Sequence, residues 1–203
     1  MDNRENILPL LNFSDPDKFY FIQIYKRRKD NPGMDKDMKV LGNYAIFSRD
    51  QFDKTFEEIK NICDSNNARA YIRLNRRSQK KCALQMLARI AKMISMDQYN
   101  VKNLYWSIAG EFPDEEDKTW LFDIDYIDFE AESGKRHLDS IEEKITRLQR
   151  ECGRVPMLIK IPSKNGYHLI TRPFDISQLK KTLDILERRV DHHKDNPTIL
   201  YTA

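Results

Sequence analysis

Between Thr119 and Tyr201 the spacing of apolar residues switches repeatedly between two periods, and this alternation limits the possible folds more than any other feature of the chain. TWLFDIDYI (Thr119–Ile127) alternates with the two-residue period of a strand. Residues 134–150 then set Leu138, Ile141, Ile145 and Leu148 on one stripe, as a half-buried helix requires. VPMLIKI (Val155–Ile161) and YHLIT (Tyr167–Thr171) read as strands joined by PSKNG, whose Asn-Gly pair suits positive φ. Asp175 is placed to cap a second helix, with Gln178 at the box position and a stripe of Ile176, Leu179, Leu183, Leu186 and Val190. PTILY (Pro197–Tyr201) closes the series as a strand. The order β-α-β-β-α-β predicts one antiparallel sheet, with strands one and three central, both helices on one face and the other face open.

The preceding half has a different rhythm. FYFIQIY (Phe19–Tyr25), NYAIF (Asn43–Phe47) and RAYIRLN (Arg69–Asn75) are aromatic and β-branched, as buried strands are. KRRKDNPGMDKDMK (Lys26–Lys39) is charged and carries a Pro-Gly turn, so it reads as an exposed hairpin connection. Ser48, with Gln51 three residues on, predicts a capped helix burying Phe52, Phe56, Ile59 and Cys63. Ser78 is placed to cap another, with Ala83, Leu87, Ile90 and Ile94 as its apolar face, and LYWSIAG (Leu104–Gly110) reads as a further strand. EFPDEEDK (Glu111–Lys118) is a polar boundary. The expectation is an α+β protein: an N-terminal α/β lobe over residues 1–110 packed on an RRM-like, or ferredoxin-like, βαββαβ lobe over residues 111–203.

Charge narrows the partners. The 35 basic and 32 acidic residues nearly cancel to +3, so a nucleic-acid partner has to meet a local basic patch rather than a uniformly cationic surface. The three cysteines form no CxxC or Cys/His ladder, which excludes a recognisable zinc motif and points to a reducing, cytoplasmic setting. No apolar run reaches membrane-spanning length, and MDNRENILPLLNF is too short and polar for a secretory signal.

Chemistry concentrates in the second half. Residues two apart in a strand share a face, so Asp123 and Asp125 project together while Phe122, Ile124 and Tyr126 project oppositely. Paired carboxylates repel unless they share a proton or a divalent cation. D-x-D alone fits a site for Mg²⁺ or Mn²⁺, and equally fits surface aspartates paired with lysines. His168 follows the hairpin turn inside a strand; it is either a satisfied structural histidine or, beside the aspartates, a hydrogen-bond donor to phosphate. Lys160, Lys164 and Arg172 add positive charge to the same segment or are solvated edge residues. Trp106, Trp120, Tyr126 and Tyr167 are read as packing residues.

WLFDID, then SKNGYHL, then a helix and VDHHKDNPTILY resemble the archaeo-eukaryotic primase superfamily, which includes primase-polymerases and the polymerase domains of end-joining ligases. Asp123 and Asp125 match its first motif, Gly166-Tyr167-His168 its second, and Val190-Asp191 is the candidate for its third, with Asp195 as a competitor. RAYIRLNRRS looks like the strand that precedes the first motif in primase-polymerases. The resemblance implies a nucleotidyltransferase using Mg²⁺ or Mn²⁺. Asp123, Asp125 and Asp191 would be metal ligands; His168, Ser163, Lys164, Gly166, Lys160 and Arg172 would serve the nucleotide; Asn75, Arg76 and Arg77 would contact template or nucleotide. Implied partners are a DNA or RNA template-primer, NTP or dNTP, and a helicase or other replication protein. The third motif departs from the family pattern, because Asp191 directly follows a predicted helix where the family has a strand. A nucleic-acid-binding replication protein without catalysis and a metal-dependent nuclease remain alternatives. No Walker loop or nucleophile elbow is present.

Overall fold

The computed structural model describes every residue except 115–117, 126–130, 183–189 and 196. The chain is an α+β protein built on two four-stranded sheets. They belong to two compact units, Met1–Asp117 with Ile199–Ala203, and Lys118–Thr198.

In the first unit, β1 (Lys18–Arg27) pairs antiparallel with β2 (Met38–Ile46) on one side and β3 (Arg69–Ser78) on the other. The intervening charged segment is a hairpin connection with one 3₁₀ turn, as its composition predicts. A short α1 (Arg4–Ile7) precedes this sheet. The helix α2 (Arg49–Asn66) buries Phe52, Phe56, Ile59 and Cys63, the expected stripe. Its start is capped at two points: Ser48 Oγ accepts from Gln51 N at 3.1 Å, and Gln51 Oε1 accepts from Phe47 N at 2.8 Å. Asn67, at φ 46°, ends it in the left-handed conformation that asparagine tolerates.

Two expectations fail in this unit. LYWSIAG is not a strand but the helix α4 (Leu104–Glu111), which buries Ile108 and Ala109 beside Phe19 and Phe21. A segment of seven residues is too short for periodicity to separate the two states. The helix α3 (Gln79–Ile94), capped by Ser78 as expected, buries Cys82 and packs Met86, while Ala83, Leu87 and Ile94 are exposed. Its sequence is apolar almost all round, so a stripe could be drawn at several phases, and packing chose another.

The second unit keeps the predicted order with a different last strand. The strand β4 (Trp120–Asp125) lies between β6 (Gly166–Thr171) and β7 (Val190–His193), and β5 (Leu158–Pro162) borders β6, all antiparallel. The closing strand is therefore β7. PTILY forms β8 (Thr198–Thr202), which borders β3 in the first unit's sheet. The helix α5 (Glu132–Glu151) buries Leu138, Ile141, Ile145 and Leu148 as predicted. The helix α6 (Ile176–Thr182) begins after Asp175, whose Oδ1 accepts from Ser177 N at 2.9 Å, and buries Leu179. Leu183 and Leu186 of its expected stripe lie outside the described residues, as do Tyr126 and the centre of the 111–118 boundary; Val190 is in β7. Phe122, Ile124 and Leu169 close the core against these helices. Each such side chain contributes about 1.5–3 kcal/mol by leaving water. Among the described residues those with positive φ are Gly33, Asn67, Asp97 and Gly153, so the PSKNG hairpin turns without positive φ at Asn165 or Gly166, closing through Ser163 N to Gly166 O at 2.9 Å. The opposite sheet face is not bare, because Leu121, Ile161 and Ile170 are buried there.

Candidate active site on the second sheet

Asp123 occupies the middle of β4, and its partners across the sheet are His168 on β6 and Asp191 on β7. Directly opposed residues of an antiparallel pair project to the same face about 5 Å apart. Asp191, Asp123 and His168 therefore form a row across three strands, with Asp125 two residues along and opposite Gly166. The packing of Phe122, Ile124, Leu169 and Val190 on the helices confirms that this row points away from the core. Asp191 thus sits on a strand rather than after a helix. Asp195, its competitor, lies in the turn beyond β7.

Exposure grades along the row. The His168 side chain is 7% exposed and that of Asp123 30%, whereas Asp191 is exposed. His168 Nδ1 lies 2.8 Å from Thr198 Oγ1, and its Nε2 lies 3.5 Å from Asp123 Oδ1. Burial pushes the His168 imidazole down to about 4, with His193 adding to the effect. The adjacent carboxylate favours the imidazolium, but desolvation of a nearly enclosed ring outweighs a 3.5 Å contact to a partly exposed group. The neutral ring has one N–H. A carboxylate only accepts, so the favoured tautomer carries the proton on Nε2, facing Asp123, and Nδ1 accepts from the Thr198 hydroxyl. Nδ1 is taken up by Thr198, and Nε2 faces the Asp123 carboxylate at 3.5 Å, so the ring borders Asp123 from within the sheet.

The other residues singled out from the second motif divide by position. Ser163 Oγ lies 3.5 Å from Asp125 Oδ1, and Gly166 is the cross-strand partner of Asp125, so both adjoin the acidic row. Lys164 is exposed at the hairpin tip. Lys160 is on the wrong face: it pairs with Glu142 of α5 at 2.5 Å and lies over the Tyr167 ring. Arg172 follows the end of β6 that pairs with Trp120, four residues and roughly 13 Å along the strand from His168. Tyr167 packs against the helix-side core, as expected.

Asn75, Arg76 and Arg77 are enclosed. Arg77 is 0% exposed; its Nε donates to Ala109 O at 2.6 Å and its Nη1 to Asn75 O. Arg76 is 7% exposed and donates to Asn12 O at 3.1 Å, and Asn75 is 3% exposed. These side chains hold the end of β3 together and are not placed to touch a template. Their template or nucleotide role was implied by the family resemblance alone, and one-dimensional sequence does not show which carbonyls surround a strand end.

Two further residues adjoin the row: His193, which with His192 competes with Asp191 at the third motif, and Thr198, which carries no motif. His193 shares the face of Asp191 by the two-residue period and sits opposite Leu121. VDHH carries too little apolar alternation to read as a strand, and Val190 also fits the end of the preceding helix stripe. Thr198 is buried at 0% exposure and looked like ordinary strand filling. His192 points to the core, with its ring centroid 4.5 Å from that of Trp120 and 5.0 Å from that of Phe122; burial, then His193 and two lysines, push it down to about 4.

Carboxylate oxygens are the donors that hard divalent cations select. Asp123, Asp125 and Asp191 supply that donor type from one face, although no three His, Cys, Asp or Glu side chains among the described residues stand close enough to enclose an ion. Asp191 is exposed, and a rotamer change of such a side chain takes picoseconds to nanoseconds. The chain matches no family model, no curated protein and no solved structure.

Proposed function

We propose that this chain is a metal-dependent nucleotidyltransferase of the primase-polymerase type, the reading its sequence motifs suggest. One observation supports it most: Asp123 lies between His168 and Asp191 across three adjacent strands, which brings residues from all three motifs to one row. Asp123, Asp125 and Asp191 would hold Mg²⁺ or Mn²⁺. When bound, the metal neutralises phosphate charge and polarises the reacting oxygens. The chain's own share is positioning. His168 borders the Asp123 carboxylate, Thr198 holds His168, and Ser163 and Gly166 border Asp125 where a triphosphate would approach. Phosphoryl-transfer sites of this kind need aligned charge and no protein nucleophile.

The test is primer synthesis and primer extension on a template with NTP or dNTP and either metal. Incorporation is expected, and it falls at least about 100-fold in an Asp123→Ala, Asp125→Ala double variant. Incorporation that persists in this variant overturns the assignment. Degradation of a labelled strand instead assigns a nuclease, and salt-dependent binding without incorporation assigns a nucleic-acid-binding protein.

A further inference from the structure

Asn165-Gly166 is the one Asn-Gly pair of the chain, and it lies at the tip of the β5–β6 hairpin. Every other asparagine is followed by a residue that carries a side chain. The difference bears on the asparagine itself. The backbone nitrogen of the next residue can attack the carboxamide carbon of asparagine, and a Cβ on that residue stands in the way. Glycine has none. Asn165 is exposed, as is Lys164 before it, so the tip lies outside the core.

The turn leaves the attacking group available. Directly opposed residues of an antiparallel ladder exchange two hydrogen bonds when they are a bonded pair. Ser163 and Gly166 make only one: Ser163 N donates to Gly166 O at 2.9 Å, and among the described residues Gly166 N has no backbone acceptor in return. Both peptide groups of a strand residue point to the same side, so this N–H faces β5 and is not taken up by β4 on the other side. The turn is thus open, lacking the bond from its fourth N–H to its first carbonyl. The Asn165 carboxamide also makes no hydrogen bond among the described residues. Neither reacting group has to leave a fixed partner before the two meet.

We propose that Asn165 is a self-modification site, at which the folded chain deamidates through Gly166. The Gly166 nitrogen loses its proton and bonds to Asn165 Cγ. The Cγ–Nδ2 bond breaks, and Nδ2 leaves as ammonia with that proton. Water then opens the resulting cyclic imide. Attack at Cγ gives aspartate; attack at the main-chain carbonyl gives isoaspartate, with the backbone routed through the former side chain. Nothing is oxidised or reduced. Either product places a new carboxylate beside Gly166, the cross-strand partner of Asp125. Ser163, at the other side of the turn, has its Oγ 3.5 Å from Asp125 Oδ1. The acidic row therefore gains negative charge at its Asp125 end, and isoaspartate also lengthens the hairpin backbone by a methylene. This modification needs only the hairpin and proceeds whether or not the row binds a metal.

Incubation of the folded full chain in mildly alkaline buffer, followed by digestion and peptide mass mapping, tests this. The peptide holding Asn165 is expected to gain the mass difference between asparagine and aspartate, ahead of every other asparagine. It should also become a substrate for an isoaspartyl methyltransferase. Gly166→Ala, which the backbone permits because Gly166 lacks positive φ, should slow the change at least about tenfold. Asn165→Gln, at an exposed position, should remove it. The same incubation in guanidinium chloride separates the fold from the sequence. Modification confined to the unfolded chain overturns the proposal, because the turn then protects the pair. An unchanged rate in Gly166→Ala overturns it as well, and so does faster modification at another asparagine of the folded chain.

Discussion

Two strand segments of this molecule concentrate charge, and they end up in opposite environments. At the end of β3, the guanidinium groups of Arg76 and Arg77 are enclosed and donate to the backbone carbonyls of Asn12, Ala109 and Asn75. In the middle of β4, Asp123 is partly in solvent and leans on a histidine at 3.5 Å, with exposed Asp191 across the strand. Enclosed charge whose hydrogen bonds go to fixed carbonyls holds structure, because releasing it exposes several unsatisfied groups at once. A carboxylate at the rim of solvent, beside a neutral imidazole, can exchange that contact for a ligand at little cost to the fold.

The contrast breaks most visibly at Arg77. Arg77→Ala should destabilise the chain by about 3–5 kcal/mol in urea unfolding, through stranded carbonyls and the space left behind. Arg77→Lys should recover little, since an ammonium cannot reproduce the forked donors. A loss under about 1 kcal/mol would return Arg77 to the template or nucleotide contact that the family resemblance implies.

Next in size is a pH effect from the row itself. His168 and His192 titrate at about 4 when folded and at their ordinary 6.5 when unfolded. Below pH 6.5 the unfolded chain takes up protons that the folded chain refuses until near pH 4. Stability is therefore full above 6.5 and falls through that window, by up to about 1.4 kcal/mol per pH unit for His168. Denaturation at pH 7 and pH 5 measures it, and His168→Gln should flatten the slope.

A smaller effect is expected at Thr198. Thr198→Val keeps the shape and removes the partner of His168 Nδ1, costing about 1 kcal/mol. It should also move the imidazole proton toward Nδ1, visible in nitrogen chemical shifts, and Thr198→Ser should restore the original tautomer. An unchanged tautomer in the valine variant would mean that Asp123 alone orients the ring. The smallest effect belongs to Lys160, which is bound to Glu142 on the helix side. Lys160→Ala should change stability by less than about 1 kcal/mol and leave nucleotide incorporation unaltered; loss of incorporation would contradict its placement on the far face.

Legibility followed the range of the interaction concerned. The stripes of α2 and α5 were readable residue by residue, because each of those helices has only one apolar side. The stripe of α3 was not, because ten of its sixteen residues, Cys82 to Ile94 in part, are apolar and several phases fit equally well. The short polar strand VDHH gave no apolar alternation to detect, so β7 and the strand position of Asp191 stayed hidden, and PTILY was assigned to the wrong sheet.

The sequence by itself determined that this is an α+β chain, that Asp123 and Asp125 share a strand face, and that a hairpin brings His168 back toward them. Those conclusions rest on local periodicity, which each segment carries in its own residues. Tertiary structure decided the rest: that Asp191 is the cross-strand neighbour of Asp123, that Thr198 holds His168, that Lys160 turns to the helices, and that Arg76 and Arg77 are enclosed. Register and sheet membership are set by pairing between segments distant in sequence. A residue's neighbours there depend on backbone hydrogen bonds that any side chain permits, so the sequence of one strand does not name its partner.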